Sequence, residues 1–128
     1  MPEMNSFDYA VLRVVPRVER EEFLNAGVVL FCKQQDFLAA RVKNPEQRLA
    51  VIWPDLDTDL IRSHLEGVVR ICRGDENAGP IARLSKRERF HWLVAPRSTI
   101  IQVSPVHSGL CLIAGEKLEQ LFKELVES

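Results

Sequence analysis

Apolar residues fall in short dense runs in the first third of this chain and at helical spacing beyond it. Tyr9 to Val15 is apolar except for Arg13, and Pro16 is expected to stop the run. Its shortness and β-branched content favour a strand. Ala26 to Cys32 is apolar at every position, the pattern of a central strand covered on both faces. The polar tetrapeptide Lys33-Gln34-Gln35-Asp36 then separates it from Phe37 to Val42, so these two runs predict a hairpin. Arg17 to Leu24 reads as a charged connection, either a wide loop or a single helical turn.

From residue 44 the period changes. Asn44-Pro45 marks a helix start, and Pro54 limits that helix to Pro45 to about Ile52. A longer helix is predicted from about Thr58 to Arg73, with the stripe Leu60, Ile61, Leu65, Val68, Val69 and Cys72. Gly74 should close it, and Glu66 and Arg70 lie one turn apart on its wet side. Gly74 to Pro80 is the most loop-like stretch and the best candidate for mobility. Ser85 and Glu88 have capping-box spacing and open a helix to about Val94. A strand follows at Ile100 to Val103, and the last helix is expected over Glu116 to Val126.

Three strands joined by short links, then helices, a strand and a helix, predict an α+β fold. The expected architecture is a mainly antiparallel sheet of about four strands, a meander of three plus one. About four helices would pack on it, all on one face. With 128 residues the chain is read as one domain, residues 1–128, able to bury a core without disulfides or metals.

Net charge of -1 gives no global reason to bind nucleic acid or an anionic membrane. Cys32, Cys72 and Cys111 are far apart, odd in number and free of zinc spacing, which reads as buried thiols in a reducing cytosol. Met-Pro-Glu-Met-Asn-Ser lacks the basic start and apolar core of a signal peptide, and no apolar run is long enough to span a bilayer. A cytoplasmic location is therefore expected.

Candidate chemistry concentrates in Ala95 to Gly109, where polar corners flank the short strand. Arg97, Ser98 and Thr99 form one corner, a guanidinium beside two hydroxyls that suits an anion. Alternatively, Arg97 pairs with an acid of the Glu19 to Glu22 loop. In the other corner, His107 and Ser108 sit in a Ser-Pro-Val-His-Ser-Gly turn, where the histidine is a general base, a phosphate ligand or a turn-stabilising residue. His64 and His91 read as helix-boundary residues. Arg20, Glu22 and Asn25 are added as candidates, although Asn25-Ala26-Gly27 also reads as a simple turn, with Gly27 admitting another backbone.

Other patterns carry less. Asp55, Asp57 and Asp59 with Glu66 imitate an EF-hand loop, but Leu60 stands where glycine is needed, and Asp57 makes a good helix cap. Arg83, Lys86, Arg87, Arg89 and Arg97, with His91, Phe90 and Trp92, form the one strongly basic stretch. It suits a nucleic-acid surface or simply a solvated helix face. No cofactor motif, catalytic triad or metal-binding histidine pair is present, so catalytic residues stay unassigned, and no cofactor or metal is expected.

Three patterns together are specific. Tyr-Ala-Val-Leu-Arg-Val-Val-Pro, Glu-x-x-Asn-x-Gly-Val-Val-Leu-Phe-Cys and Ala-Pro-Arg-Ser-Thr-x-Ile-Gln-x-Ser-Pro-Val-His-Ser-Gly resemble a bacterial domain-of-unknown-function family, group 3037, from about Tyr9 to Val126. The resemblance implies no catalytic role. It does imply a protein partner, since members are encoded beside a small kinase-like protein resembling persistence-toxin kinases.

The sequence thus leads to a small cytoplasmic binding or regulatory module acting through a protein partner. An enzyme acting on a phosphate-bearing or nucleotide-like molecule through Arg97 and His107 is the alternative. A nucleic-acid-associated factor using Arg83 to Arg97 is the third reading. They make different demands: one pocket holding Arg97, His107 and Glu22 for the enzyme, an exposed apolar patch on a sheet edge or the last helix for the partner module, and five cations on one open face for nucleic acid.

Overall fold

The computed structural model describes residues 3–17, 22–97 and 99–127. Its sheet has the order β3-β2-β1-β4, and a fifth strand also pairs with β1. The meander is β1 (Asn5–Arg17), β2 (Glu22–Cys32) and β3 (Phe37–Val42). After the helices, β4 (Ile101–Val103) and β5 (His107–Cys111) lie end to end along the free side of β1. All the pairings are antiparallel. Four strand positions are therefore filled by five strands.

Between them lie α1 (Glu46–Ile52), α2 (Thr58–Arg73) and α3 (Lys86–Leu93), with α4 (Ala114–Phe122) after β5. The helices do not share one face. Ala10, Leu12 and Val14 of β1 join Leu49, Ile61, Leu65, Phe90 and Leu93 in one core under α1 to α3. Phe7 of β1 joins Val28, Leu30, Cys32, Leu118 and Leu121 in a second core under α4. Successive side chains of a strand point to opposite faces, so the nearly unbroken apolar runs of β1 and β2 make both faces apolar, and each needs its own cover.

Several boundaries move. Pro16 does not end β1, because the ladder is irregular between Val14 and Arg17, where a missing N–H is tolerated. Arg17 and Glu22 belong to strands, and the expected connection narrows to residues 18–21, which lie outside the described residues. Asp57 caps α2 by accepting from the Leu60 N–H at 3.1 Å, and Gly74 closes the helix in the left-handed region at φ 72°. Leu60 turns outward and Ile71 takes its place in the core. Arg70 is drawn toward Asp75, at 3.8 Å, rather than Glu66. Two short 3₁₀ turns, Glu76–Ala78 and Pro80–Arg83, organise the loop-like stretch. The Ser85–Glu88 capping box forms.

The last helix begins at Ala114, two residues early, because the Gln35 side chain accepts its first N–H at 2.8 Å from the β2–β3 turn. It ends in a π-helical turn, Lys123–Glu127. Gly27 does admit a close backbone: a Cβ there would lie 2.9 Å from the Arg41 carbonyl on β3.

Candidate functional site

The Ser-Pro-Val-His-Ser-Gly segment is a strand with a break, not a turn. Between the pairs Leu12–Val103 and Tyr9–His107, β1 spends two residues and the facing chain three, so the facing strand bulges. Buried Ser104 sits in the bulge. Its N–H donates to the Val11 carbonyl at 2.9 Å, and its hydroxyl accepts the Val11 N–H at 2.8 Å. Pro105 follows where no donor is needed.

The sequence candidates fall into separate places around this strand. His107 is exposed at the start of β5, its ring 5.3 Å from that of Tyr9. The Ser108 hydroxyl donates to the Asp8 carboxylate on the opposite face. Arg97 lies over the Trp92 ring, 4.0 Å from its centre, and donates to the Trp92 carbonyl. The Thr99 hydroxyl donates to the Ile101 carbonyl at 2.6 Å. Ser98, like Arg20 and the acids at 19 and 21, lies outside the described residues.

The start of β4, four residues beyond Arg97, faces Val14, whereas His107 faces Tyr9. Five strand residues at about 3.3 Å each put these points about 17 Å apart. Glu22 and Asn25 lie on β2, on the other side of β1. The grooves beside Asn25, Phe23, His91 and Leu110 are lined by none of Arg97, His107 and Glu22.

Asn25 does sit in a built environment. Register places it opposite Arg13, and its amide donates to the Leu125 carbonyl of the π turn at 2.9 Å. Its own oxygen is buried with no donor, as is the oxygen of Asn44. Arg13 stacks on Phe23 at 4.2 Å, and its Nε is buried without an acceptor. A groove of 530 Å³ opens here, lined by Asn25, Lys43, Asn44, Arg48 and Val126 among others. An adjoining one of 250 Å³ runs past Phe23 and Leu125. Sequence reasoning named Asn25 but missed Arg13, Phe23, Lys43 and Arg48. A single cation inside an apolar strand was the signal for Arg13.

The opposite end of the sheet carries an apolar edge. Leu110 is 60% exposed, and Met4, Leu112 and Ile113 are also more than half exposed. These four line a shallow depression of 230 Å³ with Glu116, Lys117 and Gln120 on its rim. β5 pairs with β1 on one side only, and His-Ser-Gly-Leu-Cys bears no lysine or acid to guard the other side. By contrast, β3 at the far edge carries Arg41, bonded to Glu119 of α4 at 2.9 Å.

The basic stretch does not form one open face. Arg89 is buried, and its guanidinium donates to the carbonyls of Ile71 and Cys72 at 2.8 and 3.0 Å, closing the C-terminus of α2. Lys86 pairs with Asp36 at 2.9 Å, and Arg97 covers Trp92. All three cysteines are free and buried. Burial pushes the Cys72 thiol up to about 12 against the lowering effect of Arg89, and burial also raises that of Cys111. Among the described residues no group of three His, Cys, Asp or Glu side chains could hold a metal, and no helix is long and apolar enough to cross a membrane.

These features define an α+β domain whose strongest surface marks are an unguarded sheet edge and a polar groove at the opposite end. The chain belongs to the family described as protein of unknown function (DUF3037), whose model matches residues 9–126. No curated protein and no solved structure matches it significantly.

Proposed function

We propose that this protein is a small cytoplasmic binding or regulatory module that works by docking a protein partner on the β5 edge. The apolar strip Met4, Leu110, Leu112 and Ile113 along that edge carries the reading. An unpaired strand offers a row of backbone donors and acceptors, and a neighbouring apolar strip supplies burial for alternate side chains of an added strand. The partner would thus present an extended segment with apolar residues at every second position. Glu116 and Lys117 on the rim would set its register by charge. The family resemblance names a small kinase-like protein as the first partner to test. Three buried free thiols support a reducing compartment. The enzyme reading draws no support from grooves lined by none of Arg97, His107 and Glu22, and the nucleic-acid reading draws none from a basic stretch whose Arg89 is buried.

The test is affinity purification of the tagged chain from its native host, beside a Leu110→Lys, Ile113→Glu variant. Both positions are exposed, so the variant should match the wild type in circular dichroism and melting. One stoichiometric protein partner, lost in the folded variant, is the expected result. A partner retained by the variant would overturn the edge as the interface. A protein that comes out alone would overturn the module itself, and gel filtration of that material would reveal pairing of two copies through the same edge.

A further inference from the structure

Much of the basic stretch is spent on the fold. Lys86 pairs with Asp36, Arg89 closes α2 and Arg97 covers Trp92. Arg87 and His91, one turn apart on α3, are exposed and line a hollow of 270 Å³ between that helix and the sheet. Lys33 reaches the same hollow from the β2–β3 turn. Below them, Asp8 of β1 faces Phe31 of β2, and Phe31 stacks on Phe90 of α3 with ring centres 5.6 Å apart. Alternation along β1 puts Ser6 on the same face as Asp8. Ser6, Asp8 and Phe31 thus form a floor under α3.

The acids around the hollow are already engaged. The Asp36 carboxylate lies 2.9 Å from the Lys86 ammonium, and that of Glu88 closes the capping box on Ser85. Asp8, the one acid of the lining, accepts the Ser108 hydroxyl of β5. Among the described residues no ion pair joins Lys33, Arg87 or His91 to an acid. Two full cations therefore face one carboxylate, and His91 adds an N–H donor. Cations gathered in a concave, partly apolar wall focus positive potential into it. The missing member of this set is an anion.

We propose that this hollow binds a phosphate monoester, with the phosphate held by Arg87, Lys33 and His91 and the group it carries resting on Phe31. Three donor side chains match a tetrahedral dianion with three terminal oxygens better than a planar carboxylate with two. The guanidinium supplies a fork and the ammonium a point charge. A volume of 270 Å³ lies close to the lower end of small-molecule sites, so the organic group is small. Ser6 and Gln34, both exposed in the lining, stand ready to hydrogen-bond it. The hollow shares no lining residue with the depression on the β5 edge, so it stands or falls independently of the partner interface.

The experiment is a heteronuclear NMR titration of the isotope-labelled full chain with phenyl phosphate and glycerol phosphate, beside inorganic phosphate. Arg87→Glu and Lys33→Glu reverse charge inside the hollow, and Arg83→Glu makes the same change on a cation outside it. All three positions are exposed, so the variants should melt with the wild type. Saturable shifts centred on Ser6, Lys33, Arg87 and His91 are expected with at least one ester, which should bind more tightly than inorganic phosphate. Its affinity should fall about tenfold or more in Arg87→Glu and in Lys33→Glu, and stay unchanged in Arg83→Glu. The proposal is overturned by an absence of saturable shifts with both esters, by shifts centred elsewhere, or by inorganic phosphate binding as tightly. It is equally overturned if Arg83→Glu is as damaging as Arg87→Glu, the mark of general charge attraction.

Discussion

The hydroxyl of Ser104 accepts the backbone N–H of Val11, while the Ser104 N–H donates to the carbonyl of the same residue. A side chain thus does the work of a strand carbonyl at the point where the ladder breaks. Replacing Ser104 by alanine leaves a buried N–H on the central strand without an acceptor. Such a loss costs about 1–3 kcal/mol. Urea unfolding of Ser104→Ala should show a lower midpoint with an unchanged slope.

Arg89 is the second test. Its guanidinium reaches two carbonyls at the end of α2 from inside the protein. Arg89→Met would keep much of the packing but remove this donor from both carbonyls, of which that of Ile71 keeps the Gly74 N–H, a loss of about 1–3 kcal/mol. Both bonds leave a single guanidinium nitrogen, and an ammonium also carries N–H donors for two acceptors, so Arg89→Lys should recover part of the loss. Thermal melting of the two variants checks both expectations.

At Gly27, any added Cβ meets the Arg41 carbonyl and a Val42 methyl, each at 2.9 Å. Backbone cannot rotate away as a side chain can, so β2 and β3 would have to separate. Gly27→Ala is expected to cost about 1–3 kcal/mol. Amide exchange should localise the loosening to the β2–β3 ladder.

Cys72 sets a pH dependence. Its thiol is held protonated by burial up to about pH 12, whereas in the unfolded chain it ionises near 9. Above the unfolded value the unfolded state binds fewer protons, so stability falls as pH rises. Each unit between the two values contributes about 1.4 kcal/mol. The fall in wild-type stability above pH 9 should therefore be steeper than in Cys72→Ala. At pH 8 a thiol reagent such as DTNB should label Cys72 only after denaturation.

The meander, the capping box and the long helix were readable because each depends on residues close in sequence. Ser85 and Glu88 need only each other, and Gly74 needs only the helix it closes. What escaped depends on distant partners. The Pro105 and His107 pattern has turn composition, and only the facing β1 strand reveals it as a bulge leading into β5. Helices on both faces were hinted at by the unbroken apolar run of β2, but assigning α4 to the second face required the placement of Cys111 and Leu118. Arg89 looked solvated because its helix is short and charged, and its acceptors lie on α2. The same holds for the groove. Asn25 was among the candidates in the sequence, whereas Lys43 and Arg48 join it only through the packing of the β3–α1 corner and the π turn.

Val11 and Ser104 are 93 residues apart. The β1–β2 and β2–β3 hairpins close locally, but the second edge of the central strand stays open until the segment from Ile101 has been synthesised. The helix that seals the second core comes later still. During synthesis the nascent meander therefore emerges with a bare β1 edge and one apolar face uncovered, the condition under which chains pair with one another instead of with themselves. Closure of that long loop comes late and places the burden of avoiding aggregation on the segment from Ile101 onward.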